Sequence, residues 1–219
     1  MQELKYIELE TRPNPTAAVI WLHGLGASGH DFEPVVPELG LPEDAAVRFL
    51  FPHAPNLPVT INGGMTMPAW YDIKAMDIDR VVDTDQLMAS SDAVGRLVDR
   101  EIERGVASGN IVIAGFSQGG AVAYELGLSY PKRLAGIVAL STYFATAKTV
   151  RVSEANRGIP ISIYHGTRDP MVPESLGRLS VEKLKEMGFD PTYQTFPMEH
   201  SVCLEEVQDI GRFIRQHAL

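Results

Sequence analysis

Four short runs of uninterrupted apolar residues constrain the fold of this chain most strongly. They cover residues 17–22, 111–115, 134–140 and 159–164. A strand that is covered on one face alternates apolar with polar residues, whereas a strand that is covered on both faces is apolar throughout. The runs therefore predict the central strands of a parallel sheet. A fifth strand is predicted over residues 46–51, although Arg48 interrupts its apolar pattern. Residues 192–196 mix apolar with polar side chains, which favours a strand at the sheet edge.

Apolar residues recur at helical spacing between these runs. Residues 87–102 form one such pattern, which Gly105 is expected to end, and residues 176–187 form another, ended by Gly188. A last amphipathic helix is predicted to run from Val202 to Ile214. Strands and helices that alternate along the chain predict an open α/β sheet with helices on both faces.

The length and charge of the chain limit what it can be. Its 219 residues suit one domain, spanning residues 1–219, with a single core. It carries 19 Lys and Arg against 28 Asp and Glu, a formal net charge of −9, and has no basic run. Binding to a phosphate backbone needs clustered basic residues, so a nucleic-acid partner is not expected.

Nothing in the sequence predicts export or membrane insertion. The first ten residues lack the positive start and long apolar stretch of a secretion signal, and no apolar run reaches bilayer-spanning length. The one cysteine, Cys203, fits a reducing compartment and is expected to pack rather than react. We therefore expect a cytoplasmic protein.

Residues 52–80 are the one long stretch without a clear period, and they are predicted to form an irregular loop. The stretch is rich in proline and glycine but also contains large apolar side chains, namely Met65, Met67, Trp70 and Tyr71. Exposing all of these to water would be costly. We therefore expect the stretch to fold over another part of the molecule.

Residues 115–119 read Gly-Phe-Ser-Gln-Gly, the pattern of a nucleophile elbow. The pattern alone is a weak signal, but a predicted buried strand precedes it and a helical pattern follows it over residues 118–130. In that setting a strained backbone lifts the serine hydroxyl above the sheet, and the two glycines leave room for the turn. The sequence therefore predicts Ser117 as a nucleophile.

A serine hydroxyl needs a base within hydrogen-bond reach, and after an elbow of this kind the acid and the histidine follow along the chain. Three histidines follow Ser117. His200 lies between the predicted edge strand and the last helix, which is the position expected for the base. His165 closes a strand and His217 lies near the chain terminus, so neither is preferred.

Asp169 is the preferred acid, because it follows the strand at residues 159–164 and can reach the loop of His200. The competitors are less well placed. Asp190 precedes a strand and so lies at the other end of the sheet, and Glu199 adjoins His200, whose side chain should point away from it.

An oxyanion formed at the serine needs two N–H donors. One is predicted to be the N–H of Gln118, the residue after the nucleophile, at a helix N-terminus. The other is expected from the loop after the first apolar run, where residues 23–26 read His-Gly-Leu-Gly. The N–H of Leu25 is the predicted second donor. His23 precedes the serine in the chain, so a structural role is favoured over a role as base.

Adaptable apolar side chains near these loops predict an acyl-binding groove. Its candidate members are Leu25, Met65, Trp70, Met171 and Val172. For Met65 and Met67, simple core filling is an equally good interpretation. The chain between residues 140 and 159 is too short for a helical cap domain, so we expect an open site that residues 52–80 cover in part. No metal-ligand spacing is present, and neither a metal nor a cofactor is expected.

Five motifs, in this order along nearly the whole chain, resemble the carboxylesterase and acyl-protein thioesterase family, and in particular its bacterial carboxylesterases. They are residues 23–26 (His-Gly-Leu-Gly), 69–72 (Ala-Trp-Tyr-Asp), 115–120 (Gly-Phe-Ser-Gln-Gly-Gly), 166–170 (Gly-Thr-Arg-Asp-Pro) and 200–203 (His-Ser-Val-Cys). The resemblance implies an α/β-hydrolase fold without a large cap domain and a triad of Ser117, Asp169 and His200. Leu25 and Gln118 would then be the oxyanion donors.

The resemblance also implies activity on short acyl esters, with lysophospholipids and protein thioesters as further substrates, and a homodimer. Ala27 and Ser28 depart from the family pattern, because many members place an aspartate there. The sequence therefore predicts a serine hydrolase that acts on a small-molecule ester or an acylated substrate. The alternatives are a catalytically inactive binding module on the same fold, a peptidase, which usually carries an extra domain, and a dienelactone-type hydrolase, which usually has Cys in place of Ser117.

Overall fold

The computed structural model describes residues 3–75 and 80–219. In chain order its strands and helices are β1 (Tyr6–Glu10), β2 (Ala17–Leu22), β3 (Val47–Pro52), β4 (Asn56–Val59), β5 (Met65–Pro68), β6 (Ile73–Ala75), β7 (Val81–Val82), α1 (Thr84–Glu103), β8 (Ile111–Phe116), α2 (Gln118–Ser129), β9 (Gly136–Leu140), β10 (Ile161–Gly166), α3 (Glu174–Glu186), β11 (Thr192–Phe196) and α4 (Leu204–His217). Short 3-10 helices cover Gly29–Asp31, Glu33–Leu39, Thr60–Asn62, Ser108–Asn110 and Glu154–Asn156.

Seven strands form the main sheet, in the order β1-β3-β2-β8-β9-β10-β11. Every neighbouring pair is parallel except β1 and β3, which are antiparallel. The five apolar segments predicted as strands are β2, β3, β8, β9 and β10, and the mixed segment is β11 at one edge. These predictions are confirmed. The strand β1 at the other edge was not predicted, because its five residues mix polar with apolar side chains over too short a length to stand out.

Alternate residues of the central strands face opposite layers, which explains why the runs are apolar throughout. In β2, Ile20 and Leu22 pack into a core shared with α1, α2 and α3. Val19 and Trp21 pack into a second core, shared with α4 and the 3-10 helix Glu33–Leu39. Helices therefore cover both faces of the sheet, as predicted.

Arg48 interrupts the apolar pattern of β3 because it joins a buried ion cluster. Its guanidinium lies 2.8 Å from Oε1 of Glu10 on β1 and 2.6 Å from Oε2 of Glu101, a fully buried residue of α1. Opposite charges and hydrogen bonds compensate for the loss of water around each ion. The cluster thus links the antiparallel edge strand β1 to helix α1 through ion pairs with Arg48.

The prediction that residues 52–80 form an irregular loop was wrong. β4 and β5 form an antiparallel hairpin, in which Gly63 and Gly64 take positive φ angles of 66° and 77°, and β6 pairs with β7. These strands have two to four residues each, and prolines lie within two of them, so no alternating pattern could develop. Residues 76–79 of the predicted loop lie outside the described residues.

The predicted helix ends are confirmed where glycine caps them. Gly105 and Gly188 follow α1 and α3 with φ angles of 100° and 88°, a region that favours glycine. The predicted start of the last helix was wrong, since α4 begins at Leu204 and Val202 lies in the loop before it. Among the helices of the described residues, none combines the length and the apolar character that crossing a bilayer requires.

Candidate active site

Ser117 lies in the tight turn between β8 and α2, with a φ of 54° and a ψ of −118°. Its N–H donates to the carbonyl of Leu140 at 2.8 Å, which ties the turn to the neighbouring strand. The flanking glycines are required by close backbone contacts. A Cβ on Gly115 would lie 2.3 Å from the carbonyl oxygen of Gly119, and a Cβ on Gly119 would lie 2.6 Å from the carbonyl oxygens of Leu22 and His23. This geometry is that of a nucleophile elbow.

Asp169 and His200 form a hydrogen-bonded pair at the same edge of the sheet. Oδ2 of Asp169 lies 2.6 Å from Nδ1 of His200, and Oδ1 accepts the N–H groups of Met171 and Val172, each at 2.8 Å. Burial of the Asp169 carboxyl opposes ionisation, but the hydrogen bonds from His200 and from the backbone outweigh it, so its pKa lies below the ordinary value. Asp169 is thus a carboxylate that holds His200 with Nδ1 protonated and Nε2 available as a base.

His200 and Ser117 line the same cavity, but in the described structure no hydrogen bond joins the Ser117 hydroxyl to the imidazole. The ring of Phe116, next to Ser117 in the chain, packs against the ring of His200 with the two centroids 4.7 Å apart. Hydrogen bonds between nucleophile and base are often long in an unliganded site and tighten when substrate binds.

Leu25 and Gln118 are the two predicted oxyanion donors. Both residues line the cavity with Ser117. In the loop of Leu25, the N–H of Gly26 donates to Pro68 and that of Ala27 donates to Gly24, whereas within the described residues the Leu25 N–H donates to no backbone carbonyl. The N–H of Gln118 belongs to the first residue of α2 and has no carbonyl within that helix to accept it.

The two buried histidines that the sequence analysis set aside have structural contacts. Nε2 of His23 accepts the N–H of Ala54 at 3.0 Å, while its Nδ1 donates to the carbonyl of Gly24 at 2.7 Å. Nε2 of His165 donates to the carbonyl of Val172 at 2.8 Å, which holds the loop that follows Asp169. Burial lowers the pKa of both imidazoles, so both stay neutral. Neither ring has Nε2 free to act on a substrate.

The cavity next to Ser117 has a volume of about 520 Å³. Leu25, Met171 and Val172 line it, whereas the other two predicted groove residues do not. Met65 projects into solvent with 65% of its surface exposed. Trp70 is fully buried below the cavity, where its Nε1–H donates to the carbonyl of His23 at 2.8 Å. The placement of Met65 and Trp70 in the groove is therefore corrected.

Several other residues line the cavity that sequence reasoning missed. They include Ile61, Met67, Arg80, Phe116, Tyr143 and Val202. Phe116 is the last residue of β8 and Tyr143 follows β9 by three residues. Parallel sheets bind their ligands at the carboxyl ends of the strands, so a search of those positions could have found both. Nothing in the local sequence marks Ile61, Met67 or Arg80, because the folding of residues 52–82 brings them to the cavity.

The Gln118 side chain has a role that its backbone position did not suggest. Oε1 accepts the N–H of Trp70 at 2.8 Å, and Nε2 donates to the carbonyl of Tyr71. The side chain of Asp72 accepts hydrogen bonds from both the N–H and the hydroxyl of Thr60, at 2.7 and 2.6 Å. The residues of the Ala-Trp-Tyr-Asp motif therefore attach the β4–β5 hairpin to the elbow.

The sheet order, the elbow after β8 and the acid–histidine pair after β10 and β11 define an α/β-hydrolase. The chain belongs to the phospholipase/carboxylesterase family, whose profile matches residues 5–218.

Curated relatives and solved structures agree with this family. The chain is 41% identical to acyl-protein thioesterase 1 of Neurospora crassa and 39% identical to that of Gibberella zeae, in each case over 92% of this chain, and over 86% and 90% of the relatives. It resembles the crystal structure of Arabidopsis thaliana SOBER1 with a TM-score of 0.86 at 31% identity, covering 93% of this chain and 99% of the other. It resembles Zea mays acyl-protein thioesterase 2 with a TM-score of 0.87 at 25% identity, covering 98% and 99%.

These findings confirm the α/β-hydrolase fold, the family and the expectation of a hydrolase that acts on esters. The two curated relatives are fungal, so they do not support the particular likeness to bacterial members.

Proposed function

We propose that the chain cleaves carboxylic esters and acyl thioesters through an acyl-enzyme formed on Ser117. The observation that carries this proposal is the 2.6 Å contact between His200 and Asp169 at the cavity that also holds the elbow serine. A buried carboxylate, an oriented imidazole and a serine in a strained turn are the three parts that nucleophilic acyl transfer needs.

In the first half of the cycle, Oγ of Ser117 attacks the acyl carbon while Nε2 of His200 takes the hydroxyl proton. The negative charge that forms on the acyl oxygen accepts hydrogen bonds from the N–H groups of Leu25 and Gln118. Asp169 stabilises the imidazolium, and its own proton affinity is too low for it to take the proton.

His200 then protonates the leaving alcohol or thiol as its bond to the acyl carbon breaks, which completes the first half of the cycle and leaves the acyl-enzyme. Water then enters, His200 removes its proton, and the hydroxide attacks the acyl-enzyme. Collapse of the second oxyanion releases the acid and returns the proton to Ser117. Apart from the substrate and water, every group in this cycle is a side chain or a backbone N–H of this chain.

Thioesters are included because the two fungal relatives are named acyl-protein thioesterases. The substrate is thus an acylated small molecule or protein, and lysophospholipids belong to the same class of acyl donors. A cytoplasmic location and a homodimer remain proposals that rest on the resemblance and, for the location, on the unpaired Cys203.

A fluorophosphonate probe tests the nucleophile directly, because it modifies only a serine that a neighbouring base activates. We expect the wild type and Ser175→Ala, a variant at an exposed serine of α3, to be labelled, and Ser117→Ala to remain unlabelled. Hydrolysis of matched esters, thioesters and lysophospholipids should fall by about 10⁴-fold or more in Ser117→Ala. A folded wild type that neither reacts with the probe nor hydrolyses any of these substrates would instead indicate a binding module.

A further inference from the structure

A buried arginine lines the catalytic cavity, and the ester-cleaving mechanism does not use it. Arg80 is 8% exposed and precedes β7. Its guanidinium donates to the carbonyl of Met171 and lies over the ring of Tyr143, 4.9 Å from the ring centroid. Both partners also line the cavity. The arginine is therefore part of the wall that a bound substrate would contact.

The charge of Arg80 is not balanced within the part of the chain that the structure describes. Across residues 3–75 and 80–219, no carboxylate lies within ion-pair distance of its guanidinium. The one acidic residue among the described residues of the cavity lining is Asp31, whose Oδ1 accepts the N–H of Ser28 at 3.2 Å. As a planar group of N–H donors in the cavity wall, the guanidinium suits an anionic group on a bound ligand.

The other side of Arg80 is also positively charged. Arg80 and Tyr143 border a second cavity, of about 410 Å³, whose lining includes Lys148 and Lys183 and, among the described residues, no Asp or Glu. The Tyr143 hydroxyl is held at 2.8 Å from that of Tyr71, a fully buried residue, which keeps the wall between the two cavities in place. Arg80 thus lies between the catalytic cavity and a second cavity that two lysines border, one of which, Lys183, pairs with Glu186 at 2.8 Å.

We propose that Arg80 binds an anionic group of the substrate, a carboxylate or a phosphate, while the ester of the same molecule lies at Ser117. This inference rests on the proposed function, because it assigns specificity to the same cavity. A guanidinium presents several N–H donors in one plane and suits both groups, and the low exposure of Arg80 makes such a contact stronger than one at the surface. Arg80 is then a specificity-determining residue rather than part of the proton relay.

Two pairs of substrates separate this role from a structural one. In the first pair, the para-nitrophenyl ester of hexanoic acid is compared with the para-nitrophenyl monoester of adipic acid, which carries a carboxylate at the end of the same acyl chain. In the second pair, monolauroylglycerol is compared with lauroyl lysophosphatidic acid, which carries a phosphate on the leaving group. Each ratio of kcat/KM, anionic over neutral, measures recognition of the anion and not the chemistry of acyl transfer.

We expect Arg80→Gln to lower at least one of these ratios by about 10- to 100-fold, since a charge-assisted hydrogen bond in a buried site is lost. Arg80→Lys should keep part of the ratio, because it retains the charge without the planar fork. The pair that responds identifies the carboxylate or the phosphate as the recognised group. Arg157→Gln removes the same charge from an exposed ion pair with Glu154 and should leave both ratios within about twofold of wild type.

The proposal is overturned if Arg80→Gln, shown to be folded by its thermal unfolding, leaves both ratios unchanged. An equal loss on the neutral and anionic members of each pair has the same meaning, because it would show that Arg80 only holds the Met171 loop in place. Failure of the wild type to cleave even the neutral esters would instead contradict the proposed function.

Discussion

The elbow at Ser117 and the β4–β5 hairpin border the same cavity, but different interactions fix them. The elbow is fixed by close backbone packing, because a Cβ on Gly115 would meet Gly119 within the turn and a Cβ on Gly119 would meet the end of β2. The hairpin and its following turn are fixed by side-chain hydrogen bonds, such as the one between Trp70 and Gln118, 48 residues apart in the chain. The glycines of the elbow form a local sequence motif, whereas the residues that attach the hairpin are spread along the chain.

This difference explains which parts of the site a sequence can predict. The elbow can be recognised from five residues and the strand and helix that flank them, because the glycines that its close packing requires lie within the motif itself. Met67 and Arg80 line the cavity but belong to no such motif. Their position there depends on contacts between their segment and distant parts of the chain. The same difference leads to predictions about how each region responds to substitution.

The largest effect is expected from Gly119→Ala in the elbow. The new Cβ would lie 2.6 Å from two backbone carbonyl oxygens, which cannot rotate away as a side chain could. The turn must shift, and a displacement of about 1 Å at the nucleophile can cost about 100-fold in rate. We expect kcat/KM for a neutral ester to fall by at least that factor, with a loss of about 2 kcal/mol or more in the free energy of unfolding.

Gly158→Ala is the matched control, because nothing lies within 4 Å of a Cβ at that glycine and its φ is not positive. It should keep wild-type activity and stability. If Gly119→Ala were as active as Gly158→Ala, the claim that local backbone packing fixes the elbow would be wrong.

The second prediction concerns a buried acid that follows the loop of His200. Glu206 lies in the first turn of α4, just after that loop, and is fully buried. Burial raises its pKa from 4.5 to about 8, against the opposing effect of the Cys203 N–H. The folded protein therefore holds a proton at neutral pH that the unfolded chain releases, so stability is greatest below pH 4.5 for this group and is lost as the pH rises through about 8.

At about 1.4 kcal/mol per pH unit, the contribution of Glu206 should fall by about 3 kcal/mol between pH 5 and pH 8. We expect Glu206→Gln to remove this part of the pH dependence in urea unfolding measured across that range. Glu205→Gln, at the exposed neighbouring position, should leave the dependence as it is in the wild type. Parallel pH profiles for wild type and Glu206→Gln would show that the carboxyl is not held neutral by the fold.

The fold, like the active site, could be predicted from the sequence only where a local pattern marks an element. The central strands β3, β2, β8, β9 and β10 have both faces buried, so the apolar composition of each segment marks it as a strand. The triad candidates could be chosen from chain order and from the position of Asp169 and His200 after β10 and β11. The edge strand β1 could not, because its stability comes from pairing with β3 and from ion pairs with Arg48. Trp70 was placed in the groove because sequence does not show which face of a loop residue is covered.

Trp70→Phe tests the side-chain hydrogen bonds that hold the turn after the hairpin. The substitution keeps an aromatic ring but removes the Nε1–H that donates to the buried carbonyl of His23. An unsatisfied buried carbonyl costs about 1–3 kcal/mol, which urea unfolding should detect. Because Trp70 is not part of the cavity lining, we expect the relative rates on para-nitrophenyl esters of increasing acyl length to stay within about twofold of wild type. A changed length preference with unchanged stability would return Trp70 to the groove.

The smallest effect is expected where a side chain touches the cavity without supporting the fold. Met67 and Met65 lie two residues apart on β5, but only Met67 lines the cavity, while Met65 is 65% exposed. Met67→Ala should enlarge the cavity and shift the preference towards longer acyl chains by about 3- to 10-fold, since a single apolar contact gives limited discrimination. The free energy of unfolding should change by less than about 1 kcal/mol, because the side chain is only half-buried.

Met65→Ala is the control and should leave the acyl-length preference unchanged. If Met65→Ala shifts it and Met67→Ala does not, the substrate must contact the exposed part of the hairpin at Met65, and the cavity next to Ser117 would not be the acyl site.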